Sequence, residues 1–298
     1  MRRLIVNADD LGFTAGVNRA ILEAHTRGIV TSSTLMAKGR AFDDAVKLAK
    51  LAPQLSIGCH VVLTDGEPVL DAAQLPTLTS RQSSPNSPSA PFRDALASFA
   101  IRAFAGRMNP AEIEAETAAQ IRKIQSAGIA VSHVDSHKHT HLFPAVLRPV
   151  MRAAQACGVH AIRNPFGPRQ PLRSADLLTR PSLWTRYAEV RILRALSGKF
   201  REAASRLHFA TPDGTLGIVV TGTLDEKLFR AIAELIPEGT WEFVCHPGYN
   251  DADLQRANTR LRASREIELN VLANPAAREI LSAQGIELIS YRDLAFLS

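Results

Sequence analysis

Residues 133–144 read HVDSHKHTHLFP, which places His133, Asp135, His137, His139 and His141 at every second position. Imidazoles and carboxylates at such spacing are either donors for a divalent cation or the polar face of a strand. The chain has nine histidines, and four of them fall here. Similar side chains close other apolar runs. Asn7, Asp9 and Asp10 follow Leu-Ile-Val, His60 follows SIGC, Arg163 and Asn164 follow HAI, and His246 follows WEFVC.

Two adjacent carboxylates beside a buried strand are costly without a compensating cation or donors. A divalent metal would take one of Asp9 and Asp10 and leave the other as a base. Helix capping with simple exposure is the plainer reading of that pair. His60 alone reads as a satisfied core histidine, and as a ligand once Asp10 and His137 share its pocket. Within the histidine tract, His133 lies inside the strand and reads as scaffold. His137 stands at the strand's end and is the better ligand, while His139 and His141 fall in the following loop and suit second-sphere or substrate contacts. Asn7, Asp135, Arg163 and Asn164 join that outer group. The tract is short and set between strand and helix signals, which argues against a low-complexity metal-scavenging patch. His246, ahead of Pro247-Gly248, suits proton donation to a leaving group, or a structural turn.

These residues need a scaffold that gathers strand ends. Strand-like runs cover Leu4–Ala8, Thr31–Met36, Ser56–Leu63, Ile129–Asp135, Ala161–Asn164, Gly217–Thr221, Glu242–Cys245 and Glu287–Tyr291. Helical segments separate them. Thr14 is a cap candidate, and Asn109-Pro110 and Asn274-Pro275 each place a cap before a proline at the first helical position, with Gly128 and Gly285 closing those helices. Strand–helix alternation predicts a mostly parallel sheet with helices outside, closed or nearly closed into a barrel that collects strand ends at one face. No glycine-rich phosphate loop follows the first strand. A single domain over 1–298 is expected, interrupted by a polar loop at 77–91 and a basic, lid-like helical insertion at 167–207.

Composition narrows the function. The formal net charge is +6, and residues 169–206 hold nine Arg or Lys against three acids, an excess equal to the whole. That segment lacks the interleaved stacking aromatics of a single-strand nucleic-acid binder, so no nucleic-acid partner is expected. Its Trp184 and Tyr187 fit peripheral contact with a membrane surface. The N-terminus lacks a secretory apolar stretch and no run is long enough to span a bilayer, so a cytoplasmic location is expected, with contact at the inner membrane face. Cys59, Cys157 and Cys245, without a CxxC pair, read as reduced thiols rather than a disulfide framework. Oligomerisation is left open.

The stretches LIVNADDLG, GIVTSSTLMAKG, SIGCHVVLT, HVDSHKHTHLFP, FVCHPG and SYRDL, in this order, resemble the YdjC-like carbohydrate deacetylase family, which includes chitooligosaccharide deacetylases and the hopanoid-biosynthesis deacetylase. The resemblance implies a distorted (β/α) TIM-like barrel of about seven strands. It also implies removal of N-acetyl groups from an amino-sugar carbohydrate or glycolipid, with one divalent cation, magnesium or zinc. By motif position, Asp10, His60 and His137 would be the metal ligands, Asp9 the base and His246 the acid. Leu11 departs from the phenylalanine common in this family, which implies a changed pocket lining. The basic insertion looks more like the hopanoid branch than the compact chitooligosaccharide type. Competing readings are a metal-dependent phosphoesterase or sugar isomerase, and a non-catalytic glycan- or membrane-binding protein.

Overall fold

The structure is a computed structural model and describes residues 1–80, 90–93, 95–294 and 296. Seven parallel strands form one curled sheet: β1 (Arg2–Leu11), β2 (Ser32–Leu35), β3 (Ser56–Val61), β4 (Val134–Ser136), β5 (Gly214–Leu216), β6 (Gly239–Cys245) and β7 (Ile286–Ile289). Their order is β4-β3-β2-β1-β6-β5, with β7 also paired to β1. The lower part of β1, Arg2 to Ile5, pairs with β7, and its upper part, from Asn7 on, pairs with β2. β1 is thus the central strand. Leu4, Ile5, Val6 and Ala8 are fully buried, the near-continuous apolar run expected of a strand covered on both faces.

The sheet forms a half-barrel that does not close, where the alternation predicts a closed or nearly closed barrel. Between β4 and β5 the ladder gives way to single parallel bridges, Val134 to Ile162 and Ala161 to Ala210. The run Ala161–Asn164 therefore contributes bridge residues instead of a strand. A second correction concerns Gly217–Thr221. Gly217 adopts φ +93, a left-handed conformation suited to glycine, and starts a 3-10 turn over Ile218–Val220, so the strand lies just before it at β5.

Local helix signals match the structure closely. Thr14 caps Ala15–Thr26 by accepting from the Val17 amide, and Asn109 and Asn274 cap Pro110–Ser126 and Pro275–Ala283. The basic insertion carries three helices, Ser174–Leu178, Trp184–Leu193 and Ser197–Arg206. The last buries Phe200, Ala203 and Ala204, whereas Trp184–Leu193 buries none of its residues fully. Of the polar stretch 77–91, residues 81–89 lie outside the described residues, and its flanks meet in an antiparallel bridge between Thr79 and Phe92. Among the described residues no helix is long and apolar enough to cross a membrane. The three cysteines are free, and burial pushes the thiols of Cys59 and Cys245 well above the usual range.

Candidate metal centre and active site

Neighbouring residues of a regular strand point to opposite faces, so Asp9 and Asp10 would diverge if β1 ran straight. It does not. The pairing with β2 shifts between Ala8 and Leu11, and Asp10 takes φ 68, a conformation that aspartate tolerates better than most residues. The bulge re-aims the chain so that both carboxylates are buried in adjoining groups that share His60.

Asp10 meets two histidines from other strands. Its Oδ1 lies 3.5 Å from His60 Nε2 and 3.5 Å from His137 Nδ1, and the two nitrogens are 3.4 Å apart. A tetrahedral ion with bonds of about 2.1 Å needs ligand atoms roughly 3.4 Å from one another. The donor set, one carboxylate and two imidazoles, also suits a divalent cation. Asp10 and His60 are buried, and His137 is half-buried on the open side. The residues present therefore fit a metal.

Two of the three side chains are held from behind. The Asp135 carboxylate sits 2.7 Å from His60 Nδ1, which leaves Nε2 facing the triangle, the carboxylate–imidazole arrangement that orients metal-binding histidines. Burial opposes charge on His60, but Asp135, Asp9 and Asp10 outweigh it and raise its pKa to about 9. The other oxygen of Asp10 accepts from Arg265 Nη2 at 2.5 Å. Burial would push Asp10 up, yet Arg265 and the two histidines hold it well below the carboxylate range.

Asp9 belongs to a second cluster built on Arg163. Four hydrogen bonds and one further ion-pair contact tie the Arg163 guanidinium to three carboxylates. Nε and Nη2 donate to Glu242 Oε1 at 2.9 and 2.7 Å, and Nη2 also reaches Asp9 Oδ1 at 2.6 Å. Nη1 donates to Asp9 Oδ2 at 2.9 Å and lies 2.6 Å from Asp135 Oδ2. Asn7 adds a donor to Asp9 Oδ1 at 3.1 Å. Burial acts to raise Asp9, but Arg163 overrides it and keeps the carboxyl ionised, far below its ordinary value. His246 Nε2 lies 3.9 Å from Asp9 Oδ2, and its Nδ1 is buried without a hydrogen-bond partner. Burial lowers its pKa against the pull of Asp9 and Glu268.

The remaining histidines separate sharply. Lys138 and His139 both take positive φ, 54 and 53, so the strand alternation ends at His137. His141 turns inward and spends both ring nitrogens on the scaffold, Nδ1 with Ser136 Oγ at 2.6 Å and Nε2 with the Arg163 carbonyl at 3.1 Å. His139 is half-buried, with an unpartnered Nδ1. His133 stacks on Tyr291, ring centroids 3.6 Å apart. Asn164 is set apart from the cluster. Its amide donates to the carbonyls of Pro212 and Asp213 and accepts from the Phe166 amide, so it braces a loop.

Several partners have no counterpart in the sequence reading. Glu242 carried a signal, an acid inside the apolar run of β6, and it also accepts from Tyr291 Oη at 2.6 Å and Thr215 Oγ1 at 3.0 Å. Thr34 donates to Asp135 Oδ2 at 3.1 Å. Arg265 and Glu268, one turn apart in the helix Ala263–Ala273, carried none; Glu268 accepts from the His246 amide at 2.6 Å.

Residues 3–283 match the family model described as YdjC-like protein. A carbohydrate deacetylase of Brevibacillus brevis is 31% identical over 297 residues, covering 98% of this chain and 99% of the relative. One of Geobacillus stearothermophilus is 31% identical over 293 residues, covering 98% of each. A solved structure described as a putative cellobiose-phosphate cleavage protein from Enterococcus faecalis V583 superposes with a TM-score of 0.76 at 25% identity, covering 98% of both chains. The chain belongs to the YdjC-like family.

Proposed function

We propose that this YdjC-like chain is a carbohydrate N-deacetylase that releases acetate from an amino-sugar carbohydrate or glycolipid. The observation that carries the reading is the Asp10–His60–His137 triangle standing beside the Asp9–His246 pair. The naming of full-length relatives as carbohydrate deacetylases supports it.

In this reading Asp10, His60 and His137 hold one divalent cation. Such an ion polarises an amide carbonyl and makes a water acidic enough to attack near neutral pH. Asp9 is the base. Arg163 makes it a weak one, so the proton it accepts must come from an acidic water, and the same grip fixes its position. His246 protonates the departing amine, with Glu268 anchoring its backbone amide and Asp9 close enough to favour the imidazolium. Asp135 orients His60, and Arg163 with Glu242 and Tyr291 orients Asp9. The insertion 167–207 follows Arg163 and Asn164 in the chain, which supports reading it as a cover over one flank of the rim.

The test is acetate release from soluble N-acetylated chitooligosaccharides and from N-acetylglucosaminyl lipids, after loading with zinc, magnesium, manganese or cobalt. Turnover that chelator abolishes and His137→Ala removes is the expected result. A metal-loaded protein that hydrolyses a phosphoester but no acetamide would overturn the reading.

A further inference from the structure

The basic excess of residues 169–206 is not uniformly neutralised in the folded chain. Arg173 pairs with Glu234 at 2.9 Å, Arg180 with Asp225 at 2.7 Å and Arg206 with Glu202 at 2.9 Å. Arg169, Arg191 and Arg194 take part in no ion pair among the described residues, and all three line one cavity of about 370 Å³. No acidic side chain lines it, and Phe166, Tyr187 and Val190 form apolar walls. The Arg191 guanidinium lies over the Tyr187 ring, 5.9 Å from its centroid, and Arg194 donates to the Gly167 carbonyl, so two of the three cations are already positioned.

This cavity adjoins the rim of the candidate active site. The Phe166 carbonyl accepts from the Thr215 amide at 3.3 Å, and the Thr215 hydroxyl reaches Glu242 of the Arg163 cluster. Three unneutralised guanidiniums against an apolar wall select a phosphate ester with a non-polar organic part. Large apolar side chains stand exposed on the same insertion: Leu178 at 69%, Trp184 at 52% and Ile192 at 74%. The Trp184 indole donates to the Leu177 carbonyl, which sets Trp184 beside Leu178. Exposed tryptophan and aliphatic side chains next to unpaired arginines are the chemistry of an anionic lipid interface.

We propose that the insertion seats on an anionic phospholipid surface, with the Arg169–Arg191–Arg194 cavity taking the phosphate of a lipid headgroup. The consequence for substrate, an amino sugar carried on lipid, rests on the deacetylase reading; the lipid contact itself does not.

The experiment is co-sedimentation of the full chain with vesicles of phosphatidylcholine alone and of phosphatidylcholine mixed with phosphatidylglycerol, at low and high salt. The full chain should partition onto the mixed vesicles only, and release as salt rises. Arg169→Glu with Arg191→Glu should lower the partition coefficient about tenfold or more, given about 1 kcal/mol per basic residue near such a surface. Trp184→Ser with Ile192→Ser should weaken partition while keeping its dependence on phosphatidylglycerol. Thermal melting identifies any variant that fails to fold. Equal partition onto phosphatidylcholine alone, or partition that the charge reversals leave unchanged, would overturn the proposal. Calorimetric binding of inorganic phosphate that the charge reversals remove, in a chain that does not partition onto the mixed vesicles, would assign the cavity to a soluble anion and overturn the lipid source. Partition is read without turnover, so a chain that binds vesicles but releases no acetate contradicts only the deacetylase reading.

Discussion

Arg163 grips Asp9 with both terminal nitrogens, Nη2 to Oδ1 at 2.6 Å and Nη1 to Oδ2 at 2.9 Å, and shares the same guanidinium with Asp135 and Glu242. Lysine offers a single ammonium in place of this planar fork. Arg163→Lys should therefore leave buried carboxylate oxygens unpaired. Removing one partner of a buried pair costs about 3–5 kcal/mol, and Lys, which keeps the charge, should fall at or below the low end. Urea unfolding of the variant gives the loss; an unchanged midpoint would contradict the assigned role.

Substitution at the proposed base and acid tests a different link, from geometry to chemistry. Asp9→Asn and His246→Ala should each lower kcat by about 10²–10⁴, the usual worth of general acid–base groups. Metal binding, read by calorimetry, should survive in His246→Ala. Wild-type turnover in either variant would remove that residue from the mechanism.

Metal should stabilise the folded chain by mass action, so melting temperature should rise with zinc concentration and fall with chelator. His137→Ala should lose most of that rise. His139→Ala should retain it, because the chain turns at Lys138 and His139 and takes His139 out of the ligand triangle. Equal losses in the two variants would contradict the ligand assignment.

His141 makes stability depend on acid. Burial, and then the charge of Arg163, lower its pKa from the ordinary 6.5 to about 3. Between those values the unfolded chain binds a proton that the folded chain refuses. The contribution is therefore whole above pH 6.5 and is lost as pH falls toward 3, at about 1.4 kcal/mol per pH unit for one such group. Urea titrations at about pH 7 and about pH 5 should show a shallower slope for His141→Gln than for the native chain. Parallel slopes would sink the assignment.

Gly58 tests packing beneath the site. A Cβ there would lie 2.5 Å from His133 Cε1, and the ring is already stacked on Tyr291 at 3.6 Å, so it has nowhere to retreat. Gly58→Ala should cost about 1–3 kcal/mol, the range for overpacking. Adding His133→Ala should remove the clash, so the double variant should be less destabilised than the sum of the two single changes. Strict additivity would show that the clash is not the cause.

Short-range signals decided what the sequence by itself could determine. The stop of WEFVCHPG and the caps at Thr14, Asn109 and Asn274 each depend on a few adjacent residues, and each corresponds to a real element end, whereas β1 runs past the expected Leu4–Ala8 to Leu11. A parallel α/β sheet follows from such local patterns, as does the choice of His60 and His137 as potential ligands beside one of Asp9 and Asp10; the family resemblance is what singled out Asp10. Tertiary structure alone decided the rest, because those contacts join residues far apart in the chain. Arg265 reaches Asp10 across 255 positions, and Tyr291 finds Glu242 across 49. The bulge that turns Asp9 and Asp10 together arises from the shift in register against β2, and Asn164 faces a loop because the sheet stays open beside it. Local sequence sets which residues end a strand. Sheet order and register set which of those ends share a charge.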